Sequence, residues 1–300
     1  MKKRILILFL SLIFISSFSF AQKTVKARDI LNQINDGKPV EYSDVTIIGD
    51  IDLTKLNDIT KDNSEWDIFN NKSHTIHVRI PISFVNCVFQ GNFIAYFHDD
   101  DNNETYNAKF YEPVNFKGSV FEKQAAFKYV KFLKSANFEK TAFSSEALFK
   151  YAKFYGENSF NNSVFNKTAN FKYAVFYENG YFIEAKFKKE ANFKYTRFKR
   201  QAYFNNAKFF STANFKYTKF PKKVYFESAV FIKDANFKYV KFHEGVNFNN
   251  ALFKKDINFK YTKFYGDSSF KGFKFNGYTE DKYSTIKGTT LTRYLLKNKI

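Results

Sequence analysis

The sequence predicts an all-β fold in which the chain winds into the stacked coils of a solenoid. From Phe110 to Phe275, phenylalanines recur in alternating steps of six and five residues. We call this spacing the beat, and every position on it is Phe. The composition agrees, with 42 Phe in 300 residues against 4 Pro and one Met. A helix needs a period of 3.6 residues and a simple strand a period of two, so neither explains the beat. Such a skewed composition is typical of an internal repeat.

A longer period of 22 residues groups these steps in fours. Phe-Lys-Tyr recurs at this spacing, beginning at Phe127, Phe149, Phe171, Phe193, Phe215, Phe237 and Phe259. The residue two positions before each Phe is mostly small or β-branched, as at Ala169 and Ala191. A coil of 22 residues then has four short sides that each turn one Phe and one small residue inward, and identical side chains stack from coil to coil. Dividing the 165 residues from Phe110 to Phe275 by 22 gives 7.5 coils, and at about 4.8 Å per stacked strand they form a rod some tens of ångströms long.

The repeated unit resembles that of the pentapeptide-repeat family. Units such as Ala-Asn-Phe at residues 191–193 have a small residue two positions before Phe, within pentads. Six-residue steps, such as Phe154 to Phe160, depart from a pure pentad, but the alternating variant is familiar in that family. The resemblance implies a right-handed quadrilateral β-helix over residues 110–275. The handedness comes from the resemblance and not from the spacing.

Residues 1–21 have the features of a cleavable secretory signal peptide. Lys2, Lys3 and Arg4 form a positive start, residues 5–20 are mainly apolar, and Ser19-Phe20-Ala21 is a small-x-small cleavage site. The apolar run is shorter than the ~20 residues that a membrane-spanning helix needs. We therefore expect an exported protein, periplasmic or secreted, with no transmembrane segment after cleavage.

The predicted solenoid needs caps, because an open coil exposes unpaired backbone and an apolar core. Residues 22–43 are expected to form a helical N-terminal cap, since residues 27–35 are amphipathic and are followed by the stop signals Gly37 and Pro39. Residues 44–109 are interpreted as degenerate first coils with loop insertions.

The beat stops after Phe275, so residues 276–300 are interpreted as a C-terminal cap or tail. Four apolar residues in this segment would form a capping helix or the contact of a homodimer. They are Leu291, Tyr294, Leu295 and Ile300.

The chain is strongly basic, with a net charge of +19 at pH 7. Residues 1–21 hold three basic residues and no acid, so the exported chain would carry 19 − 3 = +16. Nucleic acid is the usual partner of a basic protein, but it is not expected outside the cytoplasm. Members of the resembled family that mimic DNA need an acidic rod, and this chain is basic. A single Cys excludes an intramolecular disulfide and any CxxC zinc or redox site.

The main candidate surface is a basic and aromatic stripe along the rod. Lysines and tyrosines at the 22-residue spacing stack in two columns, the Lys column and the Tyr column, which together we call the Lys/Tyr ladder. The Lys column is Lys128, Lys150, Lys172, Lys194, Lys216, Lys238 and Lys260, and the Tyr column is Tyr129, Tyr151, Tyr173, Tyr195, Tyr217, Tyr239 and Tyr261. The strand column, a further basic column, is Lys131, Lys153, Arg197, Lys219, Lys241 and Lys263. The five pairs from Lys150 and Tyr151 to Lys238 and Tyr239 are the candidate binding residues.

Two interpretations of the ladder stay open. In the structural one, duplication copied a good unit, Tyr stacking stabilises the column, and Lys keeps a Phe-rich rod soluble. In the functional one, Tyr offers flat platforms and Lys supplies charge to an anionic or glycan polymer of the cell envelope. Repulsion between like charges at the coil spacing is about 0.9 kcal/mol in water, which flexible lysines tolerate. The partner class therefore remains open among anionic polymers, glycans and other proteins.

No catalytic residues and no cofactor are predicted. The one acidic cluster, residues 98–104, places Asp99, Asp101 and Asn103 at the first positions of a calcium loop, but Glu104 and Phe110 stand where that loop needs Gly and Glu. No metal site is predicted, and these three residues are only weak candidates. A β-helical polysaccharide-active enzyme would need clustered carboxylates, whereas the acids here are dispersed. The sequence favours a non-enzymatic exported structural or interaction scaffold, with the ladder as the alternative binding module.

Overall fold

The structure, a computed structural model, describes residues 23–62 and 72–297. The predicted signal peptide, residues 1–21, lies outside these residues. The described chain forms stacked coils whose four sides are four β-sheets, numbered here in the order in which a coil passes through them, with 11, 10, 12 and 9 strands. Pairing between coils is parallel, for example Phe132 with Phe154 and Ala191 with Ala213. The predicted all-β, four-sided solenoid is confirmed.

The strands are short, and in the regular coils each has two residues. The first sheet is Lys23–Lys26, Val45–Ile48, Val88–Phe89, Val120–Phe121, Ala142–Phe143, Val164–Phe165, Lys186–Phe187, Lys208–Phe209, Val230–Phe231, Leu252–Phe253 and Lys274–Phe275. The second is Ile51–Asp52, Phe93–Ile94, Ala125–Ala126, Ala147–Leu148, Ala169–Asn170, Ala191–Asn192, Ala213–Asn214, Ala235–Asn236, Ile257–Asn258 and Thr279–Glu280. The third is Ile59–Lys61, Lys72–Val78, Tyr96–Asp99, Glu104–Phe110, Lys131–Phe132, Lys153–Phe154, Val175–Phe176, Arg197–Phe198, Lys219–Phe220, Lys241–Phe242, Lys263–Phe264 and Thr285–Ile286. The fourth is Val40–Ser43, Ile82–Val85, Val114–Asn115, Ala136–Asn137, Asn158–Ser159, Gly180–Tyr181, Ala202–Tyr203, Val224–Tyr225 and Val246–Asn247.

The core consists of four columns of Phe rings, one behind each sheet. Phe171 is fully buried and stacks on Phe149 at 4.9 Å and on Phe193 at 5.0 Å, with ring planes within 2°. Rings of opposite columns meet edge to face across the core, as Phe160 and Phe171 do at 5.2 Å and 86°. Both arrangements are favourable for aromatic pairs. The small residues two positions earlier are also buried, and buried hydroxyls among them, such as that of Thr196, donate to a backbone carbonyl of the preceding coil.

Two kinds of corner explain the alternation of five- and six-residue steps. Each five-residue step contains a four-residue turn closed by a backbone hydrogen bond. In the turn from Phe171 to Ala174, the N–H of Ala174 donates to Phe171 O at 2.9 Å, and Tyr173, the third residue of the turn, has a positive φ. This is the geometry of a type II turn. The positive-φ residues are Tyr173 and its equivalents between the second and third sheets, and residues such as Asn162 and Asn206 at the diagonally opposite corner. The six-residue steps form the two remaining, wider corners.

Both ends are covered. Helix α1, Ala27–Asn35, occupies the residues where the sequence predicts a helix, and it buries Ile30 and Leu31. Helix α2, Leu291–Lys297, buries Leu291 and Leu295. No helix within residues 23–62 and 72–297 is both long and apolar enough to cross a membrane.

The C-terminal end of the structure differs in two ways from the expectation that the solenoid stops at Phe275. Paired strands continue beyond residue 275 as far as Thr285–Ile286, so part of the predicted cap is still solenoid. Phe275 is on the beat but is 41% exposed, while Phe273 is buried in its place. The regular core therefore ends before Phe275, because no complete coil covers that position.

Two hairpins interrupt the first coils and widen the third sheet. Ile59–Lys61 pairs antiparallel with Lys72–Val78, and Tyr96–Asp99 pairs antiparallel with Glu104–Phe110. The longer strands also pair in parallel with each other over seven residues, from Glu104 with Lys72 to Phe110 with Val78. Since regular strands have two residues, these extend past the corner of the coil, next to the first member of the Tyr column.

Candidate functional site

The Tyr column lies at the corner between the second and third sheets. Neighbouring rings from Tyr129 to Tyr261 are parallel within 3°, with centroids 4.6–4.8 Å apart. Tyr283 continues the column at 4.8 Å, one member beyond the sequence prediction. Backbone bonds join the same corners, as from the N–H of Tyr151 to Lys172 O at 3.0 Å. The predicted Tyr column is therefore one continuous stack.

The stacking changes what the tyrosines can offer a ligand. Each ring turns its faces toward the rings above and below it, and a separation of 4.6–4.8 Å leaves no room for a sugar ring between them. The expectation of flat stacking platforms along the rod is therefore wrong for the interior of the column. The tyrosines present ring edges and hydroxyl groups, which suit hydrogen bonding better than face stacking.

The Lys column lies beside the rings. Each lysine of the column places Nζ 5.1–5.8 Å from the ring centre of the following tyrosine, within the range of a cation–π interaction. The backbone below is fixed by an asparagine column, in which Asn170 Oδ1, for example, accepts from the N–H of Lys172 at 3.1 Å. The same contact recurs from Asn192 to Lys194 and in the three following coils.

The cations of this face have no acidic partners within the part of the chain that the structure describes. The Lys column contributes seven charges and the strand column six, all on one corner and the adjoining third sheet. In the described ranges none of these thirteen has a carboxylate oxygen within 4.0 Å, whereas lysines elsewhere, such as Lys117 with Glu139, do form ion pairs. Only Val175 interrupts the strand column. Unpaired charge of one sign is thus concentrated on a single face.

The charges affect one another's protonation. Burial lowers the pKa of Lys216, and the adjacent Lys194 and Lys238 charges lower it further. The pKa of Lys150 is lowered in the same way by burial and by its two neighbours in the column. The pKa of Tyr217 is raised by burial and by its neighbouring tyrosines, so its hydroxyl keeps its proton. An anion laid along the column would relieve the repulsion that lowers the lysine pKa values.

Two grooves follow the Tyr column on its third-sheet side. One, of about 620 Å³, runs from the hairpins past Tyr129 and Tyr151 to Tyr173, and it contains Lys131 and Lys153. The other, of about 600 Å³, begins at Tyr173, and its lining includes Tyr195, Arg197, Tyr217, Lys219, Tyr239 and Lys241. Both grooves are lined by Tyr173, so they lie end to end beside the Tyr and strand columns, and together we call them the trough. Five of the ten candidate residues, the tyrosines, line it, whereas the five candidate lysines are not among its lining residues; of the Lys column, Lys128 lines the first groove.

The tyrosines occupy a backbone conformation that favours Gly or Asn. The φ angles of the column are +59° to +64°, in the left-handed region, which costs an ordinary L-residue about 1–2 kcal/mol. At the opposite corner the same positions hold Gly or polar residues, including Gly118, Asn162, Asn206 and Asn250. Stacking on two neighbours offsets this cost, since an aromatic pair contributes about 0.5–1.5 kcal/mol.

We expect Asn206→Tyr to lower the free energy of unfolding by about 1 kcal/mol, because the new ring has no tyrosine above or below it to offset the left-handed backbone. Its column neighbours are Glu184 and Ser228. Guanidinium denaturation measures the change. Asn206→Gly is the matched control and should be nearly neutral. Equal stabilities of the Tyr variant and the natural protein would contradict the argument that stacking retains the tyrosines.

The weak metal candidates lie together in the turn of the Tyr96–Asp99 hairpin. Asp99 Oδ1 accepts from the N–H of Asp101 at 3.0 Å, and Asp99 Oδ2 accepts from Asn102 Nδ2 at 2.7 Å. This bond from Asn102 lowers the pKa of Asp99. Asn103 has a φ of +51° and completes the turn. Across the residues that the structure describes, no three His, Cys, Asp or Glu side chains form a group that could hold a metal.

Sequence reasoning missed the residues that border the trough at its hairpin end. Tyr96 lies against Tyr129, with centroids 5.7 Å apart, and its hydroxyl accepts from Lys128 Nζ at 2.7 Å. His98 and Thr105 also line the trough and contact each other at 2.8 Å. These residues fall in an interruption of the repeat, so no periodicity identifies them, and only the hairpin pairing places them beside the ladder.

Comparison with known families agrees with the geometry. A family model described as pentapeptide repeats matches residues 106–153, 149–197, 171–219 and 215–263, with nine copies. A comparison with curated proteins gave no match. The matched segments join into residues 106–263, which is more than half of the chain, and they coincide with the regular coils. The chain therefore belongs to the pentapeptide-repeat family.

Proposed function

We propose that this protein is a non-enzymatic, exported scaffold whose Lys/Tyr ladder and strand column bind an extended anionic polymer of the cell envelope. The observation that carries the proposal is the set of thirteen cations that have no carboxylate partner among the described residues, with the strand column beside the trough and the Lys column beside the Tyr rings. Unpaired cations in a groove attract polyanions and gain free energy when counterions are released. Export is supported by the composition of residues 1–21.

The geometry favours a polyanion over a neutral glycan. Neutral sugars are commonly held on open aromatic faces, and the faces inside the Tyr column are turned to neighbouring rings. The hydroxyl edges of the tyrosines supply hydrogen bonds, and the two basic columns together supply charge at every coil, although Val175 interrupts the strand column. A ligand that runs parallel to the rod meets the same groups once per coil.

Triple charge reversal tests the proposal. Lys172→Glu, Lys194→Glu and Lys216→Glu together should lower affinity for polymannuronate, an anionic polysaccharide, at least about tenfold at low salt, and reduce the logarithmic salt slope by about 2. The natural protein should bind polymannuronate in a salt-sensitive way and should bind neutral dextran weakly or not at all. Calorimetry at two salt concentrations measures both effects.

The control reverses three lysines on the opposite side, Lys186, Lys208 and Lys254, which lie in or beside the first sheet. It changes net charge equally, so it separates a local surface from overall charge. Equal losses in the two triple variants would show that net charge alone attracts the polymer. Absence of polymannuronate binding by the natural protein would leave the ladder with the structural role of stacking and solubility.

A further inference from the structure

A second, shorter column of tyrosines lies on the fourth sheet. Tyr181, Tyr203 and Tyr225 are parallel within 9°, with centroids 5.1 Å and 4.9 Å apart. The strand residue that pairs with Tyr181 in the preceding coil is Ser159, which has no ring. Among the described residues, the face that Tyr181 turns toward that coil therefore has no ring stacked on it, in contrast to the faces inside the Tyr column of the ladder.

A pocket of about 380 Å³ lies beside this end of the short column. Three residues in register on the fourth sheet, Asn137, Ser159 and Tyr181, line it along the rod. Most of the other lining residues lie two positions before or after Asn137 and Ser159, and they are Ser135, Glu139, Glu157 and Asn161. Tyr181 is the one aromatic residue of this lining. The volume is at the low end of the about 300–1,000 Å³ that is usual for small-molecule sites.

The Tyr181 ring is held in position by its neighbours. Asn179 Nδ2 donates to the Tyr181 hydroxyl at 3.1 Å, and Asn179 Oδ1 accepts from the N–H of Gln201 at 3.2 Å. On its other face the ring stacks on Tyr203. Because the ring is already ordered, a ligand that packs on its open face has little side-chain entropy to remove.

Hydrogen-bonding groups of both kinds surround the open face. Asn161 Oδ1 accepts from the N–H of Ile183 at 2.9 Å, which leaves Asn161 Nδ2 as a donor for a ligand. Glu157 is exposed, and its carboxylate has no ion pair or hydrogen bond among the described residues. Neither Lys nor Arg is among the described residues that line the pocket. The pocket therefore suits a neutral ligand with hydroxyl groups and disfavours an anion.

We propose that this pocket, which we call the Tyr181 pocket, binds a neutral pyranose sugar. The C–H face of the sugar packs on the open Tyr181 ring, its hydroxyls donate to Glu157, and Asn161 Nδ2 donates to a hydroxyl oxygen. The site is independent of the proposed function, because it lies on the fourth sheet and uses no residue of the ladder or of the strand column. A single sugar has few atoms, so we expect a dissociation constant in the millimolar range.

Saturation-transfer NMR with the methyl glycosides of glucose, galactose and mannose tests the pocket. At least one of them should bind the natural protein, with an affinity that salt does not change. Tyr181→Leu should weaken this binding at least about tenfold, because the aromatic face is lost. Tyr225→Leu is the matched control, since Tyr225 is the other terminal ring of the short column and does not line the pocket. Absence of binding by all three glycosides, or equal losses in the two variants, would overturn the inference.

Glu157 gives a second test, because its carboxylate makes no contact of this kind within the described fold. Glu157→Ala should lower affinity for the bound glycoside about fivefold to tenfold, since sugar hydroxyls lose their acceptor. Glu146→Ala is the matched control and should have no effect: Glu146 is also exposed, and it precedes a strand of the second sheet, Ala147–Leu148, as Glu157 precedes Asn158–Ser159. Equal affinity of the two variants would contradict the assignment of the pocket.

The charge of the ligand gives a third test. The uronic acid counterpart of the glycoside that binds should bind at least about fivefold more weakly, because Glu157 repels its carboxylate. Equal or tighter binding of the uronic acid would show that the pocket does not select a neutral sugar. Because the ladder lysines do not line the pocket, loss of polymannuronate binding and loss of sugar binding are separate results.

Discussion

Replacing Phe193 with Ala should lower the free energy of unfolding by about 3–5 kcal/mol. The Phe193 ring is fully buried and stacks on Phe171 and Phe215, each at 5.0 Å. Phe182 and Phe204 meet it edge to face, each at 5.3 Å. Alanine would remove contacts on both faces and leave a cavity, and the coils cannot close over it because backbone hydrogen bonds hold their spacing. Guanidinium denaturation followed by near-ultraviolet circular dichroism measures the loss.

Phe275→Ala is the matched control for this substitution. Phe275 is on the same sequence beat, but it is 41% exposed, and its one ring contact among the described residues is with Phe273 at 5.7 Å. Its loss should cost less than about 1 kcal/mol, since little apolar surface becomes exposed. If Phe193→Ala and Phe275→Ala lowered the free energy of unfolding equally, the stacked core would not control stability in the middle of the rod.

This contrast shows which part of the fold the sequence determines. The inward columns follow from the beat alone, because a Phe and a small residue recur together on all four sides, as Ala191 and Phe193 do. The end of the core does not follow from it. Whether a Phe on the beat is buried depends on whether another coil lies above it. The beat continues through Phe275 although no complete coil covers that residue, so the spacing alone does not show where the core ends.

The alternation of five and six residues was visible in the sequence, but its cause was not. A left-handed turn residue is normally recognised as Gly or Asn, and one corner does contain Gly118, Asn162 and Asn206. At the other corner the same conformation is occupied by Tyr at every coil, which conceals the turn. The tyrosines tolerate it because they stack, and that interaction is visible only once coils are superposed.

The ladder was predictable as a set of columns, whereas the trough was not. Columns require only the 22-residue spacing, but the trough depends on ring orientation and on the hairpin strands that line its first groove. The pairing of Tyr96–Asp99 with Glu104–Phe110 lies in an interruption of the repeat, where periodicity gives no information. The sequence therefore identified which residues share a face, and the structure identified how their side chains are oriented on it.

Deleting half a coil should abolish most polymer binding without unfolding the protein. Removal of residues 194–204 joins Phe193 to Asn205, so that Asn206 supplies the next left-handed corner and Phe209 the next core ring. The sequence of five- and six-residue steps is preserved, and the Phe columns therefore continue. Every later coil is displaced by half a turn, however, and the later part of the Tyr column, from Tyr217 onward, moves to the diagonally opposite corner.

The matched variant deletes a whole coil, residues 194–215, and joins Phe193 directly to Lys216. Its ladder is one member shorter but continuous, with Tyr217 following Tyr173. The half-coil deletion removes four basic residues, Lys194, Arg197, Lys199 and Arg200, and the whole-coil deletion also removes Lys208; neither removes an acid. The two variants therefore separate the effect of net charge from the effect of a continuous ladder. The whole-coil deletion loses more positive charge but keeps the ladder continuous, whereas the half-coil deletion loses less charge and interrupts it.

If a continuous ladder binds the polymer, the half-coil deletion should lower affinity for polymannuronate about a hundredfold at low salt, while the whole-coil deletion should change it by less than about threefold. Circular dichroism and cooperative unfolding of both variants establish that the coils still form. Net charge acting alone would give the opposite order, with the whole-coil deletion the weaker binder. Stacking needs only adjacent tyrosines, and both variants keep stacked runs of three or more. A large difference in binding between two folded variants would therefore assign the ladder to a ligand and not to stability alone.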